Sequence, residues 1–222
     1  TFRDKETDIN TALDNVILAS KTERNITETT CVSYRDDMRN EVRQEIEMLN
    51  NAMKGLINRE FVVYYQPKVA LENSRLVGGE ALVRWKKPDG TMIPPNDFIP
   101  CLEKNGFITA LDFYVYEEVC RFIKSRVEKN LPVVPISVNV SMLHLKEEGF
   151  LDRINSLVKS YAIPAHLLEF ELTEGVFLEN EKEALKIMEK MKEMGFLVSI
   201  DDFGSGFSSL NLLKNMPVDI LK

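Results

Sequence analysis

The stretch FVVYYQPKVALENSRLVGGEALVRW, Phe61 to Trp85, decides how the rest of the chain can be arranged. Its first part is β-branched and aromatic and reads as a strand. ENSR, residues 72–75, reads as a turn, and LVGGEALVRW reads as a second strand. Four turn residues allow only an antiparallel pair, because parallel strands need a crossover of a dozen or more residues. After this hairpin the pattern changes. Helices are expected near 96–104 and 109–129, a strand over 133–140, a helix near 147–161 and a strand over 168–173. A helix over 180–194, a strand over 196–201, a short helix near 207–214 and the start of a strand at PVDILK follow. Alternating helices and strands predict an α/β fold, a mostly parallel sheet covered by helices. Six strands are counted from Phe61 on, whereas a closed (β/α)8 barrel has eight strands in about 250 residues. The pattern alone leaves two arrangements open, an open sheet or a barrel without its last two strands.

Upstream of Phe61 the chain reads differently. Ile9, Leu13, Val16 and Ile17 have helical spacing, with Asp8 placed to cap the helix. TTCVSY, residues 29–34, reads as a short extended piece. Residues 35–58 form a long charged helical stretch with Met38, Val42, Ile46, Leu49, Met53 and Leu56 on one stripe. That stripe fits a helix packed on its own domain, a linker helix or a dimer seam.

Composition limits the function. The 222 residues are 44% hydrophobic, enough for a sizeable core, and the net charge is −7. With no basic tract, a nucleic acid polymer is not the expected partner, since phosphate backbones call for clustered Lys and Arg. A small phosphorylated ligand stays compatible. Cys31, Cys101 and Cys120 are odd in number and lack metal-site spacing, which fits a reduced, cytoplasmic setting. No apolar run approaches the roughly 18 residues of a membrane span. The opening TFRDKETD reads as cut from a longer chain, so a membrane segment is expected only in an upstream region, if anywhere.

Function in such folds sits beyond the C-terminal ends of the strands. The second strand carries Glu80 and Arg84, four apart and so on one face. The third carries Asn139 and the fourth Glu169 and Glu171, with Glu174 just after. The fifth ends on Asp201 and Asp202, the sixth on Lys222. A single strand-borne Glu is usually solvated or salt-bridged, and a strand-end Lys is usually surface. A Schiff-base role for Lys222 would require an apolar pocket, which these acids oppose. Taken together, acids and a carboxamide from four strands converge, and they repel unless cations neutralise them. Oxygen-only donors suit Mg2+ or Mn2+. Two such ions are the usual machinery of phosphodiester cleavage. His144 and His166 fall off the strand ends and are set aside.

The ordered strings YYQP, GGEALVRW with its Glu80-Ala81-Leu82, SVNVS, ELTE and DDFGSGFSSL resemble the EAL domains, bacterial phosphodiesterases that hydrolyse cyclic di-GMP to linear pGpG. The resemblance covers residues 61–222. It implies a (β/α)8 TIM-type barrel with an antiparallel first strand, cut after strand six in this chain. It implies Glu80, Asn139, Glu171 and Asp201 as metal ligands and Asp202 as a ligand of a second metal, with Lys222 beside the attacking water and scissile phosphate. Catalysis then falls to Glu80, Lys222 and Asp201, and ligand contacts to Arg84 and Gln66. Glu174 would anchor the loop after the fifth strand. That loop (Asp202, Phe203, Gly204, Ser205 and Gly206 among its residues) is regulatory in the family and lies at a homodimer face. The family draws another metal-binding Glu and a Gln from strands seven and eight, which this sequence lacks, so the isolated chain is expected to show little hydrolysis. An inactive cyclic di-GMP receptor or a dimerisation scaffold is the alternative. Residues 1–33 resemble the tail of a GGDEF domain and 34–60 the helix linking it to an EAL domain, although the GGDEF signature itself is absent.

Overall fold

The computed structural model describes residues 8–22, 33–175, 181–204 and 216–222. The chain divides into two compact units, Thr1–Met53 and Lys54–Lys222. In the first, α1 (Ile9–Thr22) and the beginning of α2 (Asp36–Ile57) bury Ala19 and Met38, and Arg39 Nη2 donates to Asn15 Oδ1 at 3.1 Å. The apolar stripe Ile9, Leu13, Val16 and Ile17 of α1 is exposed. Ser33 and Tyr34 have no regular structure, and the rest of the expected extended piece lies outside the described residues, as does Cys31.

The second unit begins with the hairpin. Strands β1 (Phe61–Val69) and β2 (Leu76–Lys86) pair antiparallel, with Phe61 opposite Trp85 and Gln66 opposite Glu80. The turn closes through Ala70 N–H to Arg75 O at 2.9 Å, and Arg75 N–H donates to the Asn73 side chain at 3.0 Å. A two-residue strand, β3 (Met92–Ile93), pairs with the end of β2 and was too short to leave a sequence pattern. Then come α3 (Pro95–Lys104), α4 (Ile108–Glu128), β4 (Ile136–Asn139), a 3-10 turn at Met142–Lys146 and α5 (Phe150–Tyr161). The unit continues with β5 (Leu168–Thr173), α6 (Glu181–Glu193), β6 (Leu197–Asp201) and β7 (Ile220–Leu221). The sheet order is β1-β2-β4-β5-β6-β7, parallel from β2 onward. This is the mostly parallel α/β sheet with an antiparallel first strand that the hairpin predicts.

One boundary differs from expectation. The strand over 133–140 is only Ile136–Asn139, because Pro135 has no N–H to give a ladder; its carbonyl instead accepts from Gly79 N–H at 3.0 Å. The strand start expected at PVDILK is Ile220–Leu221. The helix expected near 207–214 lies outside the described residues.

The two faces of the parallel sheet are chemically opposite. Val138, Phe170, Leu172, Val198 and Ile200 are fully buried and pack with Val119, Ile123, Ile154, Met188 and Met191 of the covering helices. Each such side chain contributes on the order of 1.5–3 kcal/mol by leaving water. The intervening residues Ser137, Glu169, Glu171 and Ser199 are buried as deeply on the other face. At the hairpin mouth Phe61, Trp85 and Phe98 form a fully buried aromatic trio with ring centroids 4.9–5.7 Å apart. Glu60 caps it by accepting from Trp85 Nε1 at 2.9 Å and from Lys87 Nζ at 3.2 Å.

Candidate functional site

Register places the site. Glu80 on β2 pairs with Ser137 on β4, and Ser137 pairs with Glu169 on β5. One step further along, Asn139 pairs with Glu171, and Glu171 with Ser199 on β6. Because side chains alternate along a strand, Glu80, Ser137, Asn139, Glu169, Glu171, Ser199 and Asp201 share the face opposite the helices. Gln66 stands opposite Glu80 on the hairpin, and Lys68 follows two residues on, on the same face.

Two layers of charge result. In the first, Lys68 Nζ donates to Ser137 Oγ at 2.9 Å and to Glu169 Oε1 at 3.1 Å. In the second, Lys222 Nζ pairs with Glu171 and lies 3.5 Å from Glu80 Oε2. The structure thus brings Glu80, Glu171 and Lys222 together. Lys222 is held by its backbone, with its N–H donating to Ile200 O at 2.9 Å and its carbonyl accepting from Phe203 N–H at 3.0 Å. Burial pushes the Glu171 carboxyl up, against the pull of Lys222. For Lys222, burial acts downward, but the Glu171 pair, Lys68 and Glu80 outweigh it and raise the ammonium above its ordinary value. Lys68 goes the other way: burial and the neighbouring Lys222 lower it in spite of Glu169.

The remaining predicted residues spread around this centre. Asp201 ends β6 half-buried. Asp202 is exposed with φ +56°, a left-handed conformation that Asp tolerates better than most residues. Phe203 packs against the core, and Gly204, at φ +92°, donates its N–H to Glu174 Oε2 at 2.7 Å. Glu174 is therefore in contact with the loop it was expected to anchor. Arg84 is half-buried and folds back to donate Nη1 to Val83 O at 2.9 Å, and Gln66 is exposed. Ser205 and Gly206 lie outside the described residues.

Glu171 Oε1 and Ser199 Oγ are buried without a hydrogen-bond partner among the described residues. Leaving such an atom unsatisfied costs about 1–3 kcal/mol, more for a charged group. Among the described residues no three His, Cys, Asp or Glu side chains stand close enough to hold a metal ion. The Lys222 ammonium lies between the carboxylates of Glu80 and Glu171 instead. The donor chemistry nonetheless fits a hard divalent cation, with oxygen atoms only and one buried carboxylate oxygen unspent. A groove of about 570 Å³ between the start of α5 and α6 is lined by Glu148, Phe150, Lys186 and Lys190 among others, and by no strand-end residue.

Sequence reasoning missed Lys68 and Ser137. The signal was present: Lys68 follows Gln66 by two, so it shares the Glu80 face once the hairpin is drawn. No described helix is long and apolar enough to cross a membrane.

Residues 46–222 match the EAL domain family. The bifunctional diguanylate cyclase/cyclic di-GMP phosphodiesterase MucR of Pseudomonas aeruginosa is 34% identical over 190 residues, 85% of this chain and 28% of MucR. The cyclic di-GMP phosphodiesterase NbdA of the same species is 32% identical over 179 residues, 81% of this chain and 23% of NbdA. A solved PaMucR phosphodiesterase in complex with c-di-GMP superposes with a TM-score of 0.74 at 34% identity, covering 79% of this chain and 71% of that one. The chain thus spans about a quarter of the length of these two relatives.

Proposed function

The chain belongs to the EAL domain family, and from that premise we propose that the protein is a metal-dependent phosphodiesterase that hydrolyses cyclic di-GMP to linear pGpG. The observation that carries this reading is the meeting of Glu80, Glu171 and Lys222 on the polar face, with one Glu171 oxygen unspent. Names of the relatives support the substrate.

Glu80, Asn139, Glu171, Asp201 and Asp202 are the residues that would hold Mg2+ or Mn2+. Two such ions, when bound, supply a water of lowered pKa and neutralise the phosphodiester. The chain's own residues do the rest. Lys222 balances the carboxylates and orients the attacking water toward phosphorus. Arg84 and Gln66 contact the ligand. Hydrolysis adds one water across one P–O bond: the hydroxide oxygen joins phosphorus, and the departing ribose oxygen takes the proton.

The loop after β6 is assigned to a homodimer face, residues 1–33 to the tail of a GGDEF-like domain, and 34–60 to its linker helix. The setting is cytoplasmic, with no nucleic acid polymer as partner. The bifunctional name of MucR supports the GGDEF assignment.

The test incubates the full-length protein with cyclic di-GMP and Mg2+ or Mn2+ and measures pGpG by chromatography. Product that disappears in Glu80→Ala is expected. Binding of cyclic di-GMP by calorimetry without product makes the protein a receptor and overturns the enzymatic reading.

A further inference from the structure

A second cluster of titratable groups lies off the polar face. His144 is fully buried in the 3-10 turn after β4. Its Nε2 is 3.0 Å from Asp112 Oδ2 and its Nδ1 is 3.0 Å from Glu147 Oε2. The ring stacks on Phe150 at 4.3 Å and 17°. Glu147 also pairs with Arg153, whose guanidinium sits 3.6 Å from the Phe113 ring centroid.

Asp112 and Tyr116 are four residues apart on α4 and so share a face. Tyr116, fully buried, donates its hydroxyl to Asn139 O at 3.0 Å. Asp112 also accepts from the Ser141 backbone N–H, which offsets part of the upward push that burial gives its carboxyl. Helix α4 therefore grips one short segment at three points: the carbonyl of Asn139, the amide of Ser141 and the ring of His144. Val140 N–H donates to Glu171 O at 2.9 Å and ties the same segment to β5.

A buried polar cluster is a poor way to gain stability, since apolar packing of equal volume does as well or better. What the cluster supplies is a defined path for the backbone. That path begins at Asn139, the residue that pairs with Glu171 in the register and shares its face of the sheet.

We propose that Asp112 and His144 are positioning residues that fix the Asn139 segment, and through it set the Asn139 carboxamide for cation binding at the strand ends. The proposal rests on the reading of Asn139 as a cation ligand. Outer partners that orient a metal ligand typically cost 10–100-fold in affinity when removed.

The test measures Mn2+ affinity of the full-length protein by calorimetry, for Asp112→Asn and His144→Phe, each with Asn139 and with Asn139→Ala. In the Asn139 protein, each substitution is expected to weaken Mn2+ binding about tenfold. In the Asn139→Ala protein the same substitutions are expected to change affinity less than about twofold, because nothing is left to position. Equal losses in both proteins overturn the proposal, since the residues then support the domain at large. No loss in the Asn139 protein overturns it as well. Where Asp112→Asn does not fold, Tyr116→Phe, which deletes one hydroxyl, carries the same comparison. Unchanged affinity in Asn139→Ala alone overturns the ligand reading instead. The grip is then judged by amide hydrogen exchange, and exchange over residues 139–144 that is not faster in Asp112→Asn overturns it.

Discussion

Phe170 and Glu171 are neighbours in sequence, equally buried, and unlike in every other respect. Phe170 faces the helices, among Tyr116, Phe196 and the rest of the apolar core. Glu171 faces the opposite side, where it meets Lys222 and leaves one oxygen without a partner among the described residues. The same contrast separates Val138 from Ser137 and Ile200 from Ser199. The strand's period of two divides the labour: one face holds the sheet to its helices, and the other gathers groups whose burial costs free energy. The cost of the second face is offset by the first.

Three experiments set this contrast at risk, and a fourth probes the hairpin mouth. The largest effect on stability is expected from Phe170→Ala, which should cost about 3–5 kcal/mol in urea unfolding. A loss under about 1 kcal/mol would remove the apolar face from its role. Next, Glu171→Gln should lower cyclic di-GMP hydrolysis by the full-length protein about a thousandfold, several kcal/mol of transition-state stabilisation. Its unfolding free energy should fall by less than in Phe170→Ala, because Glu80 remains to balance Lys222. Unfolding losses matching those of Phe170→Ala would mean the two faces do the same work. Third, saturating Mn2+ at about 100 times its Kd should stabilise the protein by about 2.7 kcal/mol, and chelation should reverse it. This gain should vanish in Glu171→Gln and persist in Ile200→Val. Persistence in both would place the cation elsewhere.

The smallest effect concerns a carboxylate on neither face. The hydrogen bond from Trp85 holds the Glu60 carboxyl below its ordinary value of 4.5, with Lys87 helping against burial. A depressed carboxyl contributes stability that is present above 4.5 and lost as pH falls through the folded-state value. Glu60→Gln should therefore cost about 1 kcal/mol at neutral pH and flatten the acid limb of the stability curve. The fluorescence of Trp85, the chain's one tryptophan, reports it. An unchanged acid limb would mean that this bond does not distinguish the folded from the unfolded state.

The hairpin and the helix–strand alternation were legible because turn length and hydrophobic period are local properties. The acids at strand ends were legible for the same reason: each sits where an apolar run stops. Pro135 was visible, yet the strand around it was drawn too long because the apolar pattern VVPISV runs through it. Lys68 was overlooked although it sits one residue from the C-terminal end of β1, because on an antiparallel strand that end belongs to the rim opposite the acids. Lys68 accordingly reaches Ser137 and Glu169, one layer away from Glu171. The grip of α4 on residues 139–144 had no sequence signal, since Asp112 and His144 are 32 residues apart in chain order. His144 was set aside for lying off a strand end, and it lies in the 3-10 turn after β4.

Leading the sheet with an antiparallel hairpin also has a consequence in time. A hairpin closed by a four-residue turn forms within microseconds, whereas parallel pairs wait on loops of many more residues. Glu80 is placed by this local pairing, whereas Lys222 meets Glu80 across 142 residues of chain and Glu171 across 51. Contacts that close such long loops form slowly, so the charge balance of the site is expected to follow the hairpin in folding.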